Sequence, residues 1–124
     1  MGRIVIMEPS FEVRELFALV ITRLGHEAVC YDNFREEGLE DADVVPLDLD
    51  VLIVEPGSAS ALAIARQLRE RLPALPIICA SIHPRSPEVA ALDPVAYLLK
   101  PFPLAELEGA LENAMARTGP SALA

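Results

Sequence analysis

Five short apolar runs punctuate this chain with almost no polar alternation inside them. They are Arg3-Ile4-Val5-Ile6-Met7, Ala28-Val29-Cys30-Tyr31, Val51-Leu52-Ile53-Val54, Pro76-Ile77-Ile78-Cys79-Ala80 and Val95-Ala96-Tyr97-Leu98-Leu99. Such runs read as strands covered on both faces, the pattern of a parallel sheet. The 28–31 run is the weakest and is placed at an edge. Between the runs the period changes. Val13, Leu16, Phe17, Val20 and Leu24 recur at helical spacing, with Arg14, Glu15 and Arg23 assigned to the other face. Ser10 is placed to cap that helix, Glu12 suits its first turn, and Gly25 ends it.

A second helix follows Pro56-Gly57, capped by Ser58 or Ser60. Leu62, Ala65, Leu68 and Leu72 form its inner face, with Arg66, Arg69, Glu70 and Arg71 mainly outside. Pro84, Pro87 and Pro94 confine the next helix to roughly residues 87–93. Leu104, Leu107, Leu111 and Met115 mark a final amphipathic helix, and Gly119-Pro120 begins a short tail. Residues 32–49 are the least legible; 36–42 can form two turns of helix, but Gly38 weakens them. One domain is expected over residues 1–118, followed by a flexible tail over 119–124. Strands alternating with helices predict a doubly wound α/β sandwich with right-handed crossovers. In such sheets functional groups gather beyond the carboxyl ends of the strands. That rule brings together Glu8, Glu55, Ser81 and Lys100, each at such an end.

Composition narrows the function classes. A chain of 124 residues, 52% hydrophobic, can fill one core without disulfides or structural metal. Ten basic residues against nineteen acidic ones leave a net charge of −9, which disfavours nucleic acid and anionic membranes. No apolar run is long enough to span a membrane and no signal-peptide pattern opens the chain, so a cytoplasmic location is expected. Cys30 and Cys79 are read as reduced core thiols; with only His26 and His83 beside them they do not suggest zinc. Nine of the basic residues are arginine. The one lysine, Lys100, stands at a strand end and is followed by Pro101-Phe102.

That Lys-Pro-Phe after Tyr97-Leu98-Leu99, with Ile4-Val5-Ile6-Met7-Glu8, Asp50-to-Glu55 and the Pro76-to-Ser81 strand, resembles the receiver domain of two-component response regulators. The resemblance covers roughly residues 2–117. It implies a CheY-like, flavodoxin-like three-layer sandwich with a five-stranded parallel sheet in the order 2-1-3-4-5. In that family an Asp after strand 3 accepts a phosphoryl group, an acidic pair after strand 1 helps to hold Mg²⁺, and a hydroxyl and a lysine contact the phosphoryl group. Carried across, Lys100 matches the lysine, Ser81 the hydroxyl and Tyr97 the aromatic whose rotamer reports the active state. Glu8 matches the first acid and is left as a weak, vestigial Mg²⁺ contact; no other cofactor is expected.

Two positions depart from the pattern: Pro9 replaces the second acid and Glu55 the phosphoacceptor. Glutamate carries its carboxylate one methylene farther out, and phosphoryl transfer depends on positioning. Proline supplies no carboxylate, so one anionic anchor is lost to a metal that takes oxygen ligands and draws its counter-charge from carboxylates. Pro56-Gly57 also follows Glu55 at once, which alters the turn. The resemblance is therefore to a degenerate pseudo-receiver in which Glu55 pairs directly with Lys100. Simpler readings stand beside it: Glu55 as a solvent-facing acid, Glu8 as a first-turn helix acid, Ser81 satisfying backbone groups, Tyr97 as an ordinary amphipathic residue, His83 as a loop residue, and Asp48 and Asp50 solubilising a loop.

The expected function is signal transduction by protein–protein interaction without regulated phosphorylation, and no enzyme activity. The partner is a histidine kinase or a regulatory or effector protein, and a homodimer is open. The partner surface is expected on the last helix, strand 5 and the short helix before it. The alternative is a metal-dependent phosphoacceptor that receives its phosphoryl group from a histidine kinase. A third class, a small-molecule enzyme, lacks support: Glu8-Pro9-Ser10 stands where a Gly-rich phosphate loop would, and there is no coherent Ser-His-acid set. No effector segment follows residue 117, so the chain either acts alone or is the receiver part of a longer one.

Overall fold

The computed structural model describes residues 2–31 and 48–117. The possible helix at 36–42 and the tail at 119–124 lie outside them. Within them the order is β1 (Arg3–Met7), α1 (Phe11–Arg23), β2 (Glu27–Cys30), β3 (Val51–Val54), α2 (Ala59–Arg71), β4 (Ile77–Ser81), α3 (Pro87–Ala90), β5 (Ala96–Leu99) and α4 (Leu104–Arg117). All neighbouring strands are parallel, in the order β2-β1-β3-β4-β5. Both the fold class and the strand order agree with expectation.

Strand periodicity divides the core into two layers. Val5, Met7, Leu52, Val54, Ile77 and Cys79 point to the face covered by α2 and α3. Ile4, Ile6, Val51, Ile53, Ile78 and Ala80 point to the face covered by α1 and α4. Both sides being dry explains why the strand sequences do not alternate. Phe17, Leu68 and Leu111 are fully or almost fully buried, each contributing on the order of 1.5–3 kcal/mol.

Local chemistry sets the helix ends. Ser10, Ser58 and Ser86 cap α1, α2 and α3, their side chains accepting from the N–H groups of Val13, Ala61 and Val89. After α1, Gly25 takes a left-handed φ of 88°, where a side chain would be strained. The α3 helix is only one turn, shorter than the span expected over 87–93. Asp93 follows in a left-handed conformation, φ 51°, and Pro94 excludes continuation. Arg69 secures this bend. Its guanidinium donates to the carbonyls of Leu92 at 2.8 Å and Pro73 at 2.9 Å, so it is half-buried rather than outside. Burial lowers its pKa.

Three other expectations are corrected. Asp50 and Asp48 do more than solubilise a loop. Asp50 accepts the Arg3 N–H at 2.7 Å and Asp48 pairs with the Arg3 guanidinium at 2.6 Å, while Glu27 holds its Nε at 3.2 Å. These contacts tie together the starts of three strands and raise the Arg3 pKa, chiefly through the bonds to Glu27 and Asp48. Leu16 is not on the core stripe but exposed, whereas Arg14 is buried. Cys30 is exposed, because β2 is an edge strand, whereas Cys79 is a core thiol as expected.

Burial pushes the Cys79 thiol from its ordinary 9.0 up to about 12. In a Cys30→Ala protein the remaining thiol is expected to react with a thiol reagent no faster than the protein opens, as stopped-flow absorbance would show. The raised value means that the native state keeps this proton after the unfolded state has lost it. The associated stability is therefore full below about pH 9 and is lost as pH rises toward 12. A Cys79→Ala protein should lack that part of the alkaline decline in denaturant melts.

Candidate functional site

The sheet register carries the site residues to one edge. Backbone ladders continue one residue past the strands: the Glu55 N–H donates to the Met7 carbonyl at 3.0 Å, and the Lys100 N–H to the Ser81 carbonyl at 2.8 Å. Glu8, Glu55, Ser81 and Lys100 thus emerge side by side from β1, β3, β4 and β5. The Lys100–Pro101 peptide that follows is cis.

The ammonium of Lys100 is the hub. It donates to Glu8 Oε1 and, at 3.2 Å, to Glu55 Oε1. Side-chain exposures are only 4% for Glu8, 12% for Glu55 and 14% for Lys100, so the cluster is largely withdrawn from water. The other carboxylate oxygens are also engaged. Glu8 Oε2 accepts the Ser10 N–H at 3.0 Å, and Glu55 Oε2 accepts the Gly57 N–H at 3.1 Å. The tight turn supplies the second contact: Pro56-Gly57 closes through the Ser58 N–H to the Glu55 carbonyl at 3.1 Å, folding the glycine amide back toward the carboxylate.

The pair expected between Glu55 and Lys100 is therefore present, but it is shared. Glu8, the more buried acid, also takes the ammonium, and it precedes α1 rather than lying in its first turn. Sequence reasoning missed Arg14, whose Nη1 donates to the Glu8 carbonyl at 2.8 Å. A signal existed: Arg14 stands three and seven residues before Phe17 and Ile21, both fully buried on the inner face of α1.

The outlying candidates separate from this hub. Ser81 is buried, and its Oγ accepts the His83 N–H at 3.2 Å, one of the simpler roles foreseen for it. Tyr97 packs against the core layer beneath α2 and donates its hydroxyl to the His83 carbonyl, while the Arg85 guanidinium lies over its ring, 5.6 Å from the centroid. His83 itself is an exposed loop residue that supplies backbone contacts.

A divalent metal does not fit this arrangement. Both available carboxylates face the Lys100 ammonium, their second oxygens hold backbone N–H groups, and Pro9 offers no side-chain ligand. Among the described residues no group of three or more His, Cys, Asp or Glu side chains is placed to hold a metal ion.

No protein-family model matches the sequence, and no curated protein matches it closely enough to identify a relative. Solved structures do match in shape. A response regulator, TrrA, of Thermotoga maritima, determined in complex with Mg²⁺ and beryllofluoride, superposes with a TM-score of 0.73 at 24% identity, covering 92% of this chain and 99% of its own. A two-component response regulator of Clostridium difficile gives 0.78 at 14% identity, covering 96% and 99%. The chemotaxis protein CheY4 of Vibrio cholerae gives 0.75 at 20% identity, covering 92% and 98%. The chain has the CheY-like receiver fold.

Charge counting ranks the substitutions at the hub. Lys100→Met leaves two half-neutralised carboxylates buried together and should cost about 3–5 kcal/mol in denaturant melts. Glu8→Gln and Glu55→Gln each leave one neutralised pair and should cost less. Adding Glu8→Gln to Lys100→Met should recover part of the loss, because it removes one of the two like charges.

Proposed function

We propose that this receiver-fold domain carries signals through contact with another protein and does so without regulated phosphorylation. One observation carries the reading: the lysine that in the family contacts the phosphoryl group is already held by two carboxylates. Glu55 stands at the phosphoacceptor position, and its carboxylate is tied by the ammonium on one oxygen and by the Gly57 N–H on the other. A nucleophile must be free to approach a phosphorus in line, and this one is held at both ends. Ser81 would be the hydroxyl and Tyr97 the switch aromatic of the same degenerate site. Glu8, the position of the first metal-binding acid, serves instead as the second anchor of the lysine.

The cluster fixes the geometry of three strand ends at once, those of β1, β3 and β5, so in this reading the surface around them is constitutive. Tyr97, anchored to the His83 carbonyl, belongs to the same fixed state. Among the described residues no helix is long and apolar enough to cross a membrane, in keeping with a cytoplasmic place for the domain. The partner in this reading is a histidine kinase or a regulatory protein. One solved structure of this shape is described as a signal receiver domain of a two-component histidine kinase from Clostridium thermocellum.

Incubation with Mg²⁺ and a small phosphodonor tests the reading by intact-protein mass spectrometry. The mass is expected to stay unchanged. Gain of one phosphoryl group, abolished by Glu55→Gln, would instead establish the metal-dependent phosphoacceptor.

A further inference from the structure

At the end of the sheet opposite the lysine hub, where β4 and β5 begin, lies a cleft of about 270 Å³. Arg69 of α2, Arg117 of α4, and Asp93 and Val95 on the approach to β5 line it, and residues 73–76 complete its wall. Both arginines stand in the last turns of their helices, where a cation suits the helix dipole. The dipole explains the charges but not their convergence. The two helices cover opposite faces of the sheet, yet their arginines meet in one cleft at its end.

Arg69 is half-buried, and its hydrogen bonds run to main-chain carbonyls: Leu92 at 2.8 Å, Pro73 at 2.9 Å and Asp93 at 3.4 Å. Carbonyl oxygens fix the guanidinium in place without cancelling its charge. Burial accordingly lowers its pKa, and the nearby charge of Asp93 offsets only part of that effect. Among the described residues neither Arg69 nor Arg117 has a carboxylate within ion-pair distance. Arg3, at the same end of the sheet, is by contrast held by Glu27 and Asp48. On a chain with a net charge of −9, a half-buried cation without a counter-ion is the exception. The N–H groups of Arg69 that the carbonyls do not take remain for an oxyanion, which a guanidinium grips as a fork.

Charge and volume select the ligand. Two arginines and Asp93 leave one net positive charge in the cleft, which a monoanion balances. A dianion would set its second charge against Asp93. Beyond the arginines the wall is apolar, built from Pro73, Leu75, Pro76 and Val95. At the packing density of protein interiors the space holds about ten non-hydrogen atoms, a small molecule rather than a peptide segment. We propose that this cleft binds a small organic monocarboxylate, with its carboxylate between Arg69 and Arg117 and its apolar body on the proline wall. The site is separate from the lysine hub and stands whether or not Glu55 accepts a phosphoryl group.

The test titrates the full chain with benzoate, neutral benzamide and sulfate, followed by amide NMR shifts and calorimetry. Benzoate should saturate, with shifts centred on Arg69, Ala74, Leu75, Asp93, Val95 and Arg117. Benzamide has the same shape without the charge and should bind at least about tenfold more weakly. Arg117→Gln, at an exposed helix end, should weaken benzoate by about tenfold while circular dichroism shows the protein folded. Asp93→Asn keeps a residue that tolerates the left-handed backbone, and it should strengthen sulfate relative to benzoate by at least about threefold. Failure of benzoate to saturate, shifts centred elsewhere, equal binding of benzamide, or indifference to Arg117→Gln would overturn the proposal. So would sulfate binding the unsubstituted protein more tightly than benzoate, or an unchanged preference in Asp93→Asn, since charge would then not select a monoanion.

Discussion

One ammonium shared by two carboxylates holds the functional edge of this domain together. Lys100 is the sole lysine, and it meets Glu8 and Glu55 where β1, β3 and β5 end. Withdrawing three charges from water carries a desolvation cost that an ion pair only offsets. The cluster's contribution is therefore one of position more than of net stability. It has one positive and two negative charges, and the backbone N–H groups of Ser10 and Gly57 help to neutralise the excess. Each element that contributes to it is constrained by the others. The turn after β3 must aim the Gly57 amide inward, and the start of α1 must leave Glu8 buried beneath Arg14.

The same constraint separates fold from switch. A receiver fold gathers acids and a lysine at the strand ends whatever their identity, since topology places them there. Whether they can work on a phosphoryl group depends on a methylene, a missing carboxylate and a turn. In this chain the longer Glu55 reaches the lysine directly, and Pro9 leaves Glu8 without a second acid to share a cation. The lysine takes that place. The constitutive surface proposed above rests on this feature: the cation of the site is covalently part of the chain.

Much of this was legible in the residues. Unalternating strands fixed the sheet as parallel and covered, because both faces of β1, β3 and β4 are dry. Serine caps and prolines located the helix ends to within a few residues. Less legible were features set by tertiary neighbours. Arg14 reads as a surface charge until the buried Glu8 carbonyl is seen beside it. Leu16 fits the apolar period of α1 yet lines an open surface cleft, since the β5–α4 connection does not close over it. Asp50 reads as a loop acid because nothing local shows that the first N–H of β1 needs an acceptor. Glu8 reads as a metal contact or a helix-start acid, and the proximity that decides its partner arises across ninety-two residues of sequence.

Because the chain has a single lysine, its ammonium gives one side-chain ¹⁵N signal, and that signal reports the central contact directly. In protein labelled with ¹⁵N-lysine the account predicts a slowly exchanging Nζ resonance that does not move when Mg²⁺ and beryllofluoride are added. A rapidly exchanging signal at the outset, or one that shifts as Mg²⁺ and beryllofluoride bind, would show that Lys100 is not held by Glu8 and Glu55 and would contradict the account.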